Sequence, residues 1–156
     1  MIRAAFLCLA LAMPLAAQEV ADMAPRAGWE VIATEQSFDD LVTAVRDSAR
    51  GEGLAVVTQA GPTGAAAARG ITIPGNRVIG LYNNDFAVRV LRMSTPAMIE
   101  APIRMYVTEN VDGTATLSWK RPSTVFAPYM PDAPGLDAVA AELDAAFAAV
   151  AAAATN

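Results

Sequence analysis

The sequence predicts an α+β domain: a two-layer sandwich in which helices pack on one face of a mixed, largely antiparallel sheet. Segments with alternating apolar and polar residues are interspersed with segments whose apolar residues recur at helical spacing. The pair Asp112-Gly113 separates two alternating segments and is typical of a β-hairpin with one apolar and one polar face. Such a hairpin needs helices on its apolar face only. The length of 156 residues fits one domain of this kind.

The first strand and the first helix are predicted near the start of this domain. Residues 29–34 alternate like a strand. Ser37, with Asp40 three residues later, resembles a capping box in which Asp replaces the preferred Glu. Gly51 and Gly53 are expected to end the helix. The apolar stripe of this helix consists of Phe38, Leu41, Val42, Val45 and Ala49.

The middle of the chain is predicted to add two strands and two helices. The apolar run at 54–57 is typical of a central strand buried on both faces. A short helix is expected at 65–69 and a third strand at 77–82. The next helix is capped by one of three polar residues, Asn83, Asn84 or Asp85.

The hairpin and a last helix complete the predicted fold. Residues 103–108 and 114–120 form the two hairpin strands. Residues 122–134 are rich in proline and are expected to be irregular. An alanine-rich helix follows from Leu136 to about Ala153.

The N-terminus has the three parts of a secretory signal peptide. Arg3 is followed by an apolar run at 4–17 that ends in small residues. Cleavage is expected after Ala17, so that Gln18 becomes the first residue. A membrane anchor is disfavoured because the run is shorter than the ~20 residues of a span and contains Pro14.

We therefore expect a signal peptide at 1–17, a linker at 18–27 and a single domain at 28–156, located in the periplasm without a further membrane span. Cleavage would remove Cys8, which is the only cysteine. The exported domain is then predicted to fold without a disulfide.

Composition excludes several classes of chemistry. The formal net charge of −5 argues against nucleic acid and anionic membrane surfaces as partners. The chain contains no histidine, which excludes histidine-based catalytic triads and the usual zinc, haem and copper sites. Catalysis would depend on carboxylates, tyrosine, arginine or the only lysine, Lys120. No catalytic residue, metal site or cofactor is predicted.

The order of these segments resembles the domain of unknown function 302 family. The resemblance rests on the strand end and Asn-containing turn at 81–84, the Pro-led strand at 101–107, Asp112-Gly113 and Pro122. It extends from about Trp29 to Tyr129. It implies a compact α/β domain, and it brings no established reaction.

A small-molecule site is predicted at four residues. Asn83 matches the Asn of the turn that commonly reads Phe-Gly-Asn-Pro in that family, and Asn84 follows it. A turn from a strand into a helix can present backbone donors to a ligand, or its Asn can simply cap the helix. Arg104 and Tyr106 share the polar side of one strand and could hold a carboxylate or a ring, unless that face is merely solvated.

Four methionines suggest copper(I) as an alternative ligand, but their spacing is irregular and methionine is a common core residue. These residues are Met93, Met98, Met105 and Met130.

Together these observations favour a non-enzymatic periplasmic ligand-binding or accessory domain. A small enzyme that uses tyrosine, arginine and carboxylate chemistry is the first alternative. A module that acts by homodimerisation is the second.

Overall fold

The computed structural model of the protein describes residues 20–156. The predicted signal peptide and its cleavage site lie outside the described residues. The strands are β1 (Trp29–Thr34), β2 (Ala55–Ala60), β3 (Asn76–Tyr82), β4 (Ile103–Glu109) and β5 (Ala115–Lys120). The α-helices are α1 (Phe38–Gly51), α2 (Thr63–Ala67), α3 (Asn84–Met93), α4 (Pro122–Phe126) and α5 (Leu136–Thr155). Two 3₁₀ helices span Pro96–Glu100 and Ala127–Asp132.

The five strands form one open sheet in the order β1-β5-β4-β3-β2. The predicted α+β class is confirmed. Every pairing between the described strands is antiparallel, so the sheet lacks the parallel pairs that a mixed sheet would contain. β1 and β2 are the two edge strands although they are the first two in the chain.

The helices pack against one face of the sheet and form the core there. The predicted stripe of α1 is confirmed, because Leu41, Val45 and Ala49 are buried on it. α5 supplies the largest fully buried side chain, Phe147. The sheet supplies the inward residues of the central strands: Ile79, Leu81, Met105, Val107, Leu117 and Trp119.

Local capping explains where α1 begins and ends. The Ser37 hydroxyl accepts a hydrogen bond from the backbone N–H of Asp40 at 3.2 Å, which satisfies one free donor of the first turn. Ser37 also donates to the Asp40 carboxylate at 2.7 Å. Gly53 follows the helix with φ at +71°, in the left-handed region that glycine adopts without strain. The helix boundaries predicted from Ser37 and the glycines are therefore correct.

The prediction for the second strand is wrong in position and burial. β2 is an edge strand, and all of its residues except Val56 are exposed. The buried residue of the run is Leu54, which precedes the strand. A short apolar run has the same appearance in a central strand and beside a core, so the sequence alone did not separate the two.

The segment at 122–134 is also more regular than predicted. Pro122 occupies the first turn of α4, where a missing N–H costs no hydrogen bond. The 3₁₀ helix Ala127–Asp132 continues directly from it. Pro122 and Pro128 therefore lie in the first turns of helices, whereas Pro131 lies inside the 3₁₀ helix.

α5 is long and apolar enough, by length and composition, to cross a membrane, with a mean hydropathy of 1.5. Within the domain it packs against α1 and α4, and Val139, Leu143 and Phe147 on its inner face are buried in the core. We interpret it as the core helix of this fold.

The face of the sheet opposite the helices is called the open face. Its side chains include Trp29 and Val31 of β1, Ser118 and Lys120 of β5, Arg104 and Tyr106 of β4, and Asn76 and Val78 of β3. The predicted polar face of the hairpin is only partly solvated, because Ser118 is fully buried between its neighbours while Arg104 and Lys120 are exposed.

The described part of the predicted linker, residues 20–27, lies against this open face. The Asp22 carboxylate accepts a hydrogen bond from the backbone N–H of Val111 at 2.9 Å. Met23 lines a crevice together with Tyr106. Residues 20–27 therefore contact the domain that they precede.

Candidate functional site

The register of the sheet brings two cations together on the open face. Trp29 pairs with Lys120, and Gly80 pairs with Arg104. Met105 pairs with Trp119, so one step along both strands places Arg104 opposite Lys120. A single row across four strands thus runs from an aromatic ring through two cations to a glycine.

Gly80, at one end of this row, has no side chain, and its neighbours occupy the space above it. A Cβ atom built on Gly80 would lie 2.1 Å from the Thr58 hydroxyl oxygen and 2.8 Å from Cγ of Pro102. A larger residue would therefore have to displace its neighbours. Glycine allows Pro102, which follows a cis peptide bond, to lie directly on the sheet beside Arg104.

A cavity of about 330 Å³ lies over this row. This volume is at the lower end of the ~300–1,000 Å³ that small-molecule sites occupy. Its walls come from β1, from the three inner strands, from α4 and from the 3₁₀ helix before β4. The lining residues are Trp29, Asn76, Val78, Glu100, Ile103, Arg104, Tyr106, Lys120 and Val125.

Trp29 is the aromatic centre of this positively charged region. The Lys120 Nζ atom lies 5.7 Å from the centroid of the Trp29 ring. The guanidinium carbon of Arg26 lies 5.1 Å from the same centroid. Both distances are within the range of cation–π attraction.

Arg104 and Lys120 lack a carboxylate partner among residues 20–156. The ion pairs found there join Arg50 with Asp47, Arg89 with Glu142, and Arg121 with Glu30. Arg104 and Lys120 are both exposed and line the same cavity, and Glu100, which also lines it, forms an ion pair with neither of them.

Tyr106 lies next to Arg104 on β4 and is held in place across the sheet. Its hydroxyl oxygen accepts a hydrogen bond from the side-chain amide of Asn76 on β3. Because the oxygen accepts from Asn76, the phenolic proton is free to be donated to another group. Asn76 thus orients the phenol at the wall of the cavity.

Glu100 is the one carboxylate among the described lining residues. Its Oε1 atom accepts a hydrogen bond from the Tyr129 hydroxyl at 2.8 Å. This hydrogen bond, together with desolvation and the negative charge of Glu100, raises the pKa of Tyr129. The carboxylate is therefore already engaged by a phenol at the edge of the site.

The two asparagines of the predicted site lie elsewhere. Asn83 caps α3: its Oδ1 atom accepts from the backbone N–H groups of Asp85 and Phe86 at 2.9 and 3.1 Å. Its Nδ2 atom donates to the carbonyl oxygen of Gly53 at 3.1 Å. Asn84 is exposed in the first turn of α3. Asn83 lines only a crevice of about 30 Å³ on the helix side of the sheet.

The structure thus brings Arg104 and Tyr106 into one cavity, and neither Asn83 nor Asn84 is among its described lining residues. Trp29, Asn76 and Lys120 are lining residues that the sequence analysis did not include. The alternation of β1 and β5 carried a signal for two of them, because Lys120 has strand parity opposite to the buried Trp119, and Trp29 has parity opposite to Ile32, which packs against the core. That parity becomes informative once β1 is known to pair with β5.

The match to known proteins concerns the domain as a whole. The family model described as "Domain of unknown function DUF302" matches residues 30–154. The chain belongs to the DUF302 family. The match begins at the second residue of β1 and ends one residue before the end of α5, so it includes every strand and helix of the domain.

Solved structures support the same fold. The DUF302 domain is similar to the crystal structure of an uncharacterized conserved DUF302 protein from Bacillus stearothermophilus, with a TM-score of 0.73 and 18% sequence identity. The similarity covers 84% of this chain and 100% of that chain. No curated protein sequence matches the chain. These similarities establish the family and the fold.

Proposed function

We propose that this chain is an exported, periplasmic DUF302 domain that binds a small-molecule ligand in the cavity on the open face and catalyses no reaction. The observation that carries the proposal is the cavity of about 330 Å³, in which Arg104, Lys120, Tyr106 and the Trp29 ring converge. Concave sites with apolar walls and a few convergent polar groups are typical of small-molecule binding.

The choice of binding over catalysis rests on which groups face the cavity. Glu100, the carboxylate among the described lining residues, is hydrogen-bonded to Tyr129. Tyr106 accepts a hydrogen bond from Asn76. The two remaining charged groups, Arg104 and Lys120, are cations that can orient an anionic ligand. The enzymatic alternative would have to use Tyr106, Glu100 or Lys120.

A second candidate function, homodimerisation, is favoured by the edge strand β2. No strand within residues 20–156 pairs with the outer side of β2, and the segment Ala55–Ala60 carries no charged residue. Light scattering at increasing protein concentration would distinguish this function from ligand binding by a monomer.

Export is tested by N-terminal sequencing of protein made with its full sequence in a Gram-negative host. The expected first residue is Gln18, in the periplasmic fraction. Recovery of protein that begins with Met1 in a membrane pellet would contradict export.

Ligand binding is tested without assuming the chemical class of the ligand. The periplasmic protein is analysed for co-purified small molecules by untargeted mass spectrometry. Val78→Phe fills the cavity, because Val78 lines it. Val88→Phe is the matched control, because Val88 is exposed on α3 and is 42% accessible.

The co-purified molecule is expected with the unaltered protein and with Val88→Phe, and is expected to be lost with Val78→Phe. Retention by a folded Val78→Phe protein would place binding outside the cavity. Absence of any molecule from all three proteins would contradict the proposed function.

A further inference from the structure

We infer that the ligand is an organic carboxylate, with its carboxylate between Arg104 and Lys120 and its apolar part against Trp29, Val78 and Val125. This inference rests on the proposed function and adds the chemical class of the ligand. It is carried by the two adjacent cations and by the apolar walls that surround them.

The two adjacent cations carry an energetic cost in the ligand-free protein. Like charges directly opposite each other on neighbouring strands destabilise a sheet. Arg104 and Lys120 stand in this relation, and none of the carboxylates in residues 20–156 forms an ion pair with either. A bound anion between them would replace repulsion with two charge-assisted hydrogen bonds.

The position of these cations is unusual for this chain. The formal net charge is −5, and Lys120 is the only lysine. Nevertheless Lys120, Arg104 and the nearby Arg26 gather around one end of the open face. The local charge is thus opposite in sign to the net charge, which favours entry of an anion at this point.

The walls distinguish a carboxylate with an organic body from an inorganic anion. Val78, Ile103 and Val125 present apolar surface to the cavity, and the Trp29 ring adds a flat apolar side. An inorganic anion would leave this surface in contact with water, whereas a hydrocarbon or aromatic body would cover it. Glu100 also lines the cavity and would repel a dianion more strongly than a monoanion.

Three organic probes of similar size and one inorganic anion separate these possibilities. They are 3-phenylpropionate, its neutral amide, 3-phenylpropylamine and inorganic phosphate. Each is titrated into ¹⁵N-labelled protein at low ionic strength, by calorimetry and by NMR observation of the Trp29 indole N–H. We expect 3-phenylpropionate to shift this signal and to bind at least about tenfold more tightly than each of the other three probes.

Variants locate the carboxylate. Arg104→Gln and Lys120→Gln are each expected to weaken binding of 3-phenylpropionate about tenfold or more, since each removes a charged donor. Arg92→Gln is the matched control, because Arg92 is exposed at the C-terminal end of α3. It is expected to leave the dissociation constant unchanged.

The inference on chemical class and the proposed function fail in different ways. Binding of the amide, the amine or phosphate as tightly as the carboxylate would overturn the carboxylate inference. The inference would also be overturned if 3-phenylpropionate gave no binding heat and no shift of the Trp29 indole signal. The proposed function would still stand if a co-purified molecule is lost in Val78→Phe. Equal effects of Arg92→Gln and Arg104→Gln would also overturn the inference, because they would indicate a general effect of charge.

Discussion

Arg104 and Lys120 have opposite effects on the free and the ligand-bound protein if they form an anion site. Removing one charge relieves repulsion across the β4–β5 pair in the free protein. We expect Arg104→Gln to leave the ligand-free protein equally stable or up to ~1 kcal/mol more stable at low salt. Denaturant unfolding at low and high salt measures this, and the gain should shrink as salt screens the pair.

Lys120→Gln should give a smaller gain than Arg104→Gln. It also removes the contact of the Lys120 ammonium with the Trp29 ring, at 5.7 Å from the centroid. Exposed contacts of this kind contribute ~0.5–1 kcal/mol.

Marked destabilisation by Arg104→Gln at low salt would contradict the predicted relief of repulsion. It would show that this residue contributes structurally to the folded state.

Asn83 is expected to affect stability through the end of α3. Asn83→Ala removes the acceptor for the N–H groups of Asp85 and Phe86. We expect a loss of ~1 kcal/mol in the free energy of unfolding, within the range of ~0.5–2 kcal/mol for such caps. Asn84→Ala, at an exposed position of the same helix, should cost less than ~0.5 kcal/mol.

Ligand affinity distinguishes a capping role of Asn83 from a role in ligand binding. The dissociation constant of 3-phenylpropionate is expected to be unchanged in Asn83→Ala, because Asn83 lines a different crevice. A loss of affinity as large as that of Arg104→Gln would support the ligand contact that the sequence predicts for Asn83.

At the scale of elements, α1 depends on its buried stripe. Leu41 is 0% exposed, so Leu41→Ala leaves a cavity and is expected to cost ~2–5 kcal/mol. Asp47 lies on the exposed side and pairs only with Arg50, at 2.6 Å on the surface. Asp47→Ala should therefore cost less than ~0.5 kcal/mol. Similar midpoints for the two variants in urea would contradict the orientation of α1.

A bidentate ion pair joins α3 and α5, and its contribution to stability depends on pH. The two guanidinium nitrogens of Arg89 each lie 2.7 Å from one carboxylate oxygen of Glu142. Hydrogen bonding from Arg89, followed by its charge, lowers the pKa of Glu142, and desolvation opposes this only in part. The stabilisation is therefore present above the unfolded pKa of the carboxyl group and is lost as pH falls through the folded pKa.

Removing the arginine should reverse this shift. In Arg89→Gln the pKa of Glu142 is expected to rise toward the ordinary value of a glutamate, as observed by NMR of its side-chain carboxyl carbon during acid titration. An unchanged titration of Glu142 would mean that the two side chains do not interact in solution.

The elements that the sequence predicts correctly are those with a strong local signal. The cap at Ser37, the helical stripe from Phe38 and the alternation at 103–108 each depend on residues close in sequence. β2 was misplaced because burial of a strand depends on its neighbours in the sheet. Edge position follows from the order β1-β5-β4-β3-β2, which no local pattern contains.

The cavity could not be derived in the same way because it depends on register. The observed loop contains three residues, Val111, Asp112 and Gly113, and Asn110 N–H donates to the carbonyl of Thr114 across its ends. A two-residue loop at Asp112-Gly113 would have shifted the pairing by one residue. Lys120 would then have faced Met105, on the opposite side of the sheet from Arg104.

At the scale of the whole molecule, stability is expected to come from packing alone. Residues 20–156 contain no cysteine and no histidine, and no metal-binding group of three or more acidic or Cys/His side chains occurs among them. We expect the melting temperature of the domain without residues 1–17 to be unchanged by a reducing agent and by EDTA. A drop of several degrees with EDTA would reveal a metal held by oxygen or thioether ligands.

The single lysine also decides how this protein can be attached to a surface. Lys120 is the only side-chain amine, and it lines the cavity. Reagents that couple to primary amines, such as activated esters on a sensor chip, will therefore react either at the chain's terminal amine or inside the proposed site. The second product is anchored through its own binding cavity and has lost one of its two cations. Attachment through a tag after Asn156 leaves Lys120 unmodified and the cavity open to solution.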